Sequence, residues 1–407
     1  MTTTQASVDG AARSDGDHQT NPVGAVVVGG DYQGLGIVRS LGRRNIPVCV
    51  IDDEHSIARF SRYAARAVAV LRMRDEQQTV AVLLDVGRRL GLQGWMLYPT
   101  RDETVATLSR YKSILSEIFH VSAPDWETVR WAWDKRNTYR LAERLGIATP
   151  QTWYPTNVND LDQVAIDPPF TIKPAIKEHF VYATKAKAWR ANNRAELREL
   201  FIKAAAQVGP DEVMVQDLVP GDGCYQFGYC AFFKNGRAVG SMTVRRRRQH
   251  PAEFGRASTF VETVELPILE ELSERFLKAI GYYGLVELEY KLDPRDGQYR
   301  LLDVNARTWG YNSLGARAGV DFPYLLFADQ LGESVECCRA KAGVSWIRLL
   351  TDAPTAALEM LKGRQNWLAY LKSLRDFHVE AVFSREDPLP GLVELALFPY
   401  LCAKRGF

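Results

Sequence analysis

Residues 284–311 read GLVELEYKLDPRDGQYRLLDVNARTWGY, two runs of alternating polar and apolar residues around a turn. A three-residue loop of Arg295, Asp296 and Gly297 predicts a β-hairpin that sets Glu289 opposite Asp303, the glycine supplying the left-handed residue such loops need. Alternation then puts Glu287, Glu289, Asp303, Asn305 and Arg307 on one face. Val286, Leu288, Tyr290, Leu292, Leu302 and Val304 take the other, which is a core face. The polar face offers oxygen ligands of the kind that hold Mg²⁺. The alternative is an ordinary amphipathic hairpin whose acids are only solvated.

The spacing from Glu289 to Asp303, followed by D-V-N-A-R, resembles the metal-binding hairpin of the ATP-grasp superfamily. There, a carboxylate or amide on the first strand precedes an E-x-N-P-R-like segment on the second. The resemblance implies that Glu289, Asp303 and Asn305 are ligands of the nucleotide's magnesium and that Arg307 contacts the transferred phosphoryl group. Asp303 stands where Glu is usual and Ala306 where Pro is usual.

The chain's 407 residues suffice for two or three domains. With 46% hydrophobic and 25% charged residues the composition is globular, and a formal charge of +2 gives no general attraction to nucleic acid or membranes. The six cysteines, at 49, 224, 230, 337, 338 and 402, form no C-x-x-C pair, which disfavours a zinc site or a disulfide framework and fits a reducing compartment. Residues 1–22 lack an apolar run and read as a disordered tail. The most apolar stretch, 391–403, falls short of the roughly 20 residues a membrane span needs. The expectation is a cytoplasmic protein without a membrane span.

Residues 24–52, GAVVVGGDYQGLGIVRSLGRRNIPVCVID, read as a strand, a glycine turn, an amphipathic helix and a second strand. That is a β-α-β unit of a doubly wound sheet. Gly29, Gly30, Gly34 and Gly36 match the dinucleotide fingerprint imperfectly, so two readings stand: an NAD site, or a turn that closes the strand tightly on its helix. The strand GWMLYP at 94–99 leads into Thr100, Arg101, Asp102 and Glu103, either ligand loop or simple helix cap.

The helical stretch ending at Gly146 and followed by IATP is similar to the opening of the ATP-grasp fold, with Lys135 in place of the first nucleotide lysine. Without the resemblance, Lys135 reads as a solvated helical lysine. Lys173 lies inside the apolar strand PFTIKPAI, where an ammonium must reach an anion or water and suits polyphosphate. The family's glycine-rich flap should follow. Here IKEHFVYATKAKAWRA contains no glycine, and Lys177, His179, Lys185 or Lys187 are the candidates for phosphate, Lys187 first.

EVMVQDLVPGDG at 212–223 resembles the strand whose backbone reads adenine, with Gln216, Asp217 and Val219 at those positions and Asp222 as ribose partner. Alone it reads as an edge strand and a turn. Asn235-Gly236 predicts a second hairpin, ending in Arg245 to Arg248. Along a strand Arg245 and Arg247 share one face, Arg246 and Arg248 the other. Arg247 is assigned to substrate or phosphate charge, against a solvated face or an RNA patch; no second basic stripe accompanies the run, so nucleic acid is not expected.

Together these readings predict an α/β and α+β protein. A doubly wound N-terminal (pre-ATP-grasp) domain at 23–124 precedes a two-lobed ATP-grasp domain at 125–335 and a small C-terminal helical extension at 336–407, which shows no chemistry of its own. The resemblance implies an ATP-dependent carboxylate–amine ligase using Mg²⁺, or Mn²⁺ in its place, acting on small-molecule carboxylates and amines through an acylphosphate. A homodimer is compatible. The alternatives are an NAD-dependent enzyme built on the glycine turn and a non-catalytic ATP-binding protein.

Overall fold

The computed structural model describes residues 22–255 and 257–405. The tail expected at 1–22 lies outside them except for Pro22. Three sheets carry the fold.

The first is parallel and runs β3-β2-β1-β4-β5, with β1 Ala25–Val28, β2 Val48–Asp52, β3 Ala64–Ala69, β4 Met96–Pro99 and β5 His120–Val121. The central strands AVVV and VCVID are buried throughout, as strands covered on both sides must be. The strand order reverses beside β1, so the loops after β1 and β4 open a crevice there.

The second sheet is antiparallel, β6-β9-β7-β8, formed by β6 Thr152–Trp153, β7 Phe170–Pro174, β8 Trp189–Ala191 and β9 Val213–Asp217. Helix Arg194–Val208 covers one face, and Phe170, Ile172, Phe180, Phe201 and Val215 form a core of their own.

The large third sheet runs β14-β13-β10-β11-β12-β16-β17, with β15 beside β11. Its strands are β10 Gln226–Lys234, β11 Arg237–His250, β12 Ala257–Thr263, β13 Gly284–Leu292, β14 Tyr299–Asn305, β15 Cys338–Arg339, β16 Ser345–Ile347 and β17 Val379–Glu380. The C-terminal extension is mainly helical, and it also adds β15, β16 and β17 to this sheet.

Each face of the large sheet has its own partner. Tyr229, Val286, Leu288, Tyr290 and Leu301 pack against Leu141, Phe276 and Leu277 from helices Lys135–Arg144 and Pro267–Ala279. On the opposite face Cys230, Phe232, Met242 and Leu285 share a core with Leu35, Val38 and Tyr98 of the N-terminal domain. Along β13 that second face changes from Leu285 to Glu287, Glu289 and Lys291, so the sheet runs out of a core into a cleft.

Candidate active site

The hairpin pairs Glu289 with Asp303 and Glu287 with Asn305. The register slips beside Glu289, so Tyr290 pairs with Leu301 and Leu302 is the extra residue of a bulge. The expectation that Leu302 faces the core is thereby corrected: Leu301 is fully buried in the core, and Leu302 lines the cleft.

The cleft has two chambers. One, of about 730 Å³, lies between the second and third sheets and is lined by Lys135, Lys173, Gln216, Val219, Leu302 and Asp303 among others. The other, of about 310 Å³, lies against the loops after β1 and β4 and is lined by Asp31, Tyr32, Asp102, Glu287, Asn305, Arg307 and Tyr311 among others. Lys177, Lys187, Arg246 and Glu289 line both.

Lys135 is buried at the start of its helix and pairs with Asp303. Burial opposes a charge on Asp303, but Lys135 and Lys177 overcome it and hold the carboxyl below its ordinary range. Lys173 projects from β7, donating to the Tyr139 hydroxyl at 2.7 Å. Burial depresses its ammonium to about 8 against the pull of Asp303 and Glu289. Lys187 is likewise brought to about 8 by burial, with Glu289 opposing.

Glu289 meets Arg246 at 2.8 Å. Burial resists its ionisation, yet Arg246, then Lys187 and Lys177, keep it well below the usual carboxylate range. Two residues away, Glu287 moves oppositely. Burial and the neighbouring Glu289 charge raise it to about 7, while it accepts hydrogen bonds from the Tyr311 hydroxyl and from Asn305 Nδ2, the latter at 3.1 Å. Asn305 Nδ2 also reaches Glu289 at 3.1 Å.

Arg307 donates to both oxygens of Asp102, at 2.6 and 3.0 Å, and to Asn305 Oδ1 at 3.2 Å. Lys177 binds the same Asp102, which begins helix Asp102–Arg110 in the N-terminal domain. Two cations from different elements thus share one carboxylate, supported by the helix N-terminus. The glycine-free flap folds as helix Lys177–Thr184, closed by Lys185 in the left-handed conformation. His179 turns outward to Glu212.

Two assigned residues lie elsewhere. Arg247 is exposed and pairs with Glu262 at 2.8 Å. Strand parity decides this: Gly228 pairs with both Glu289 and Val244, so the even-numbered side chains of β11 share the acid face and Arg246 is the cleft arginine. Arg248 instead anchors Asp352 in the C-terminal extension. Asp222 accepts from the Cys224 backbone N–H at 2.8 Å, capping the short turn Gly223–Tyr225, and does not line the larger chamber. The turn takes its carboxylate.

Gln216 is buried and donates to Thr152 Oγ1 at 2.7 Å, and Asp217 pairs with Arg295 at 2.5 Å. The Val219 carbonyl accepts from Lys291 at 2.8 Å, a lysine that extends the acid face of β13 and that the motif reading passed over. Arg348 also escaped notice. It is buried over the Tyr32 ring at 3.9 Å and bound to Glu394, tying the C-terminal extension to the wall of the second chamber.

The glycine turn is packed shut. Gly29 has φ +96°, and a Cβ on Gly36 would lie 2.2 Å from Oδ1 of Asn312, at the start of helix Asn312–Ala318. Asp52, where an NAD ribose would bind, accepts from Gly30 N at 2.6 Å and meets Arg101 at 2.5 Å. Nothing here supports the NAD alternative.

The donor set fits a hard cation. Glu289 and Asp303 are both held ionised and all donors are oxygens, which suits Mg²⁺ bound by one or two carboxylates and phosphate oxygens. Among the described residues no larger cluster of His, Cys, Asp or Glu forms. No helix among them is long and apolar enough to cross a membrane.

Comparison with known proteins agrees with this architecture. Residues 230–351 match the family described as ATP-grasp in the biosynthetic pathway with Ter operon. A D-aspartate ligase of Enterococcus faecium is 23% identical over 303 residues, covering 69% of this chain and 70% of that protein. The solved L-amino acid ligase of Bacillus licheniformis superposes with a TM-score of 0.61 at 14% identity, over 79% of this chain and 78% of that one. The N5-carboxyaminoimidazole synthetase of Staphylococcus aureus complexed with ADP gives 0.60 at 13%, over 79% and 80%. The chain thus resembles ATP-grasp proteins in sequence over residues 230–351 and shares its fold with solved ligases and synthetases over about four fifths of its length.

Proposed function

We propose that this ATP-grasp enzyme joins a small carboxylate to an amine through an acylphosphate, with the nucleotide in the larger chamber and the reacting carboxylate in the smaller. The observation that carries the reading is Glu289 on the wall common to both chambers, with Asp303 beside it and lysines ahead of it. Phosphoryl transfer asks a protein chiefly for positioning and charge.

Lys135, Lys173 and Lys187 are proposed to carry the polyphosphate, and the backbone near Gln216, Asp217 and Val219 to read the base. A carboxylate oxygen attacks the γ-phosphorus, and the bond to ADP breaks. The amine nitrogen then attacks the acyl carbon, phosphate leaves, and the nitrogen loses its proton. Arg307 and Lys177 stand where charge builds on the transferred group, while Arg246 holds Glu289 in place. Mg²⁺, with Mn²⁺ able to replace it, would be held by Glu289, Asp303 and Asn305 and would offset phosphate charge when bound.

The names of the two amino-acid ligases above point to an amino acid as one substrate. A requirement for ATP fits a cytoplasmic site of action. The test is Glu289→Gln with Asp303→Asn, assayed for phosphate release from Mg-ATP across panels of carboxylates and amines. Thermal unfolding would confirm an intact fold, and a ligand at about 100 times its Kd adds roughly 2.7 kcal/mol. Turnover retained by the double variant would remove the hairpin from the mechanism.

A further inference from the structure

The C-terminal extension carries a feature that catalysis does not use. Between helices Leu349–Leu361 and Trp367–Ser373 the chain turns out to solvent. Leu361 is 85% exposed, Trp367 59% and Leu368 58%, and Leu371 is exposed on the same helical turn. Large apolar side chains so close together, and so bare, are uncommon on a surface with no partner.

The segment is held from beneath. Tyr370 is buried, with the Arg248 guanidinium 5.0 Å from its ring centre, and Arg248 is itself fixed by Asp352 at 2.7 Å. One side of Trp367–Ser373 is therefore docked, and Trp367, Leu368 and Leu371 look away from the protein.

The charge around them is predominantly basic. Lys362, Arg364, Lys372 and Arg375 are all exposed. The accompanying acids are Glu359, mostly buried beneath Lys362 and Arg364, and Asp376 at the segment's end. The stretch 358–376 thus carries a net charge equal to the +2 of the whole chain. A two-fold pairing of this face with a second copy would bring these cations against their own equivalents. Tryptophan and leucine surrounded by lysine and arginine on a short helix match the chemistry of a bilayer interface, where apolar side chains enter the headgroup boundary and cations meet anionic lipid.

We propose that residues 358–376 form a peripheral docking surface for an anionic membrane, with Leu361, Trp367, Leu368 and Leu371 inserting and the four basic residues meeting lipid headgroups. Near-neutral overall charge conceals this, because the excess is local. The surface is independent of the ligase reading.

The experiment is co-sedimentation of the full chain with phosphatidylcholine vesicles, alone or with about 30% phosphatidylglycerol. Binding should be at least about tenfold stronger with the anionic lipid and weaken as salt rises. Two variants, Trp367→Ser with Leu368→Ser and Lys372→Glu with Arg375→Glu, should each lose it while keeping the wild-type unfolding temperature. Absence of binding to both vesicles, or binding unchanged by either variant, would overturn the proposal. So would a wild-type dimer in analytical ultracentrifugation that the first variant dissociates, which would assign the face to a second copy. Binding of an acidic protein without any binding to vesicles would also overturn it, assigning the face to that partner.

Discussion

Adjacent arginines on β11 offer a sharp test of which way the strand faces. Arg246 is 6% exposed at its side chain and meets Glu289, 13% exposed, at 2.8 Å; it also donates to Gln226 at 2.6 Å. Arg247 is 43% exposed and pairs with Glu262. Arg246→Gln leaves a buried carboxylate without its main counter-charge, a change that costs about 3 kcal/mol. Arg247→Gln removes a solvent-screened pair worth at most about 1 kcal/mol. In a cooperative unit of about 150–250 residues each kcal/mol shifts the unfolding temperature by roughly 2–4 °C. Arg246→Gln should therefore lower it by about 6–12 °C and Arg247→Gln by no more than about 4 °C. Adding Glu289→Gln to Arg246→Gln should restore much of the loss, because the stranded charge is gone. Differential scanning fluorimetry and urea unfolding of the four proteins measure all of this. Equal effects of the two arginine variants would refute the assignment of strand faces.

Lys173 and Lys187, depressed to about 8, predict a pH dependence for nucleotide binding. Polyphosphate favours the charged amine, so above pH 8 binding must take up protons and affinity should fall by up to roughly tenfold per pH unit for each lysine. Calorimetry at pH 7, 8 and 9 in buffers of different ionisation heat would show it; a flat affinity would contradict it. Without nucleotide the same lysines make stability rise from about pH 8 towards their ordinary 10.5, since the unfolded chain there keeps protons the folded one has released. Lys173→Ala should weaken Mg-ATP binding more than tenfold, while Asp222→Ala should leave it within about twofold and cost only a cap, about 1 kcal/mol. Gly36→Ala forces a methyl onto Asn312 and should destabilise by about 2 kcal/mol in chemical unfolding; wild-type stability would mean that the two domains meet differently.

The central hairpin was legible because its information is local. A glycine turn fixes register and period-two alternation fixes faces, so Glu289 opposite Asp303 could be read directly. Leu302 was misplaced because a bulge adds a residue without leaving a mark in the pattern. Arg246 and Arg247 could be set on opposite faces by parity but not oriented, since orientation depends on Gly228 lying between Glu289 and Val244. Asp102 looked like a helix cap because its partners, Lys177 and Arg307, lie far along the chain. Arg348 gave no signal for the same reason: its meaning depends on Tyr32 and Glu394.

The carboxylates and the lysines stand on different foundations. Glu287 and Glu289 continue a strand face that, at Leu285, is already locked into the core shared by the large sheet and the N-terminal domain. Lys173 and Lys187 belong to the small antiparallel lobe, whose core is closed on itself. When a nucleotide arrives or leaves, the acids should act as the fixed jaw and the lysines as the swinging one. Amide exchange should accordingly be slow along Gly284–Leu292 in every state and should respond to nucleotide mainly along Phe170–Ala191.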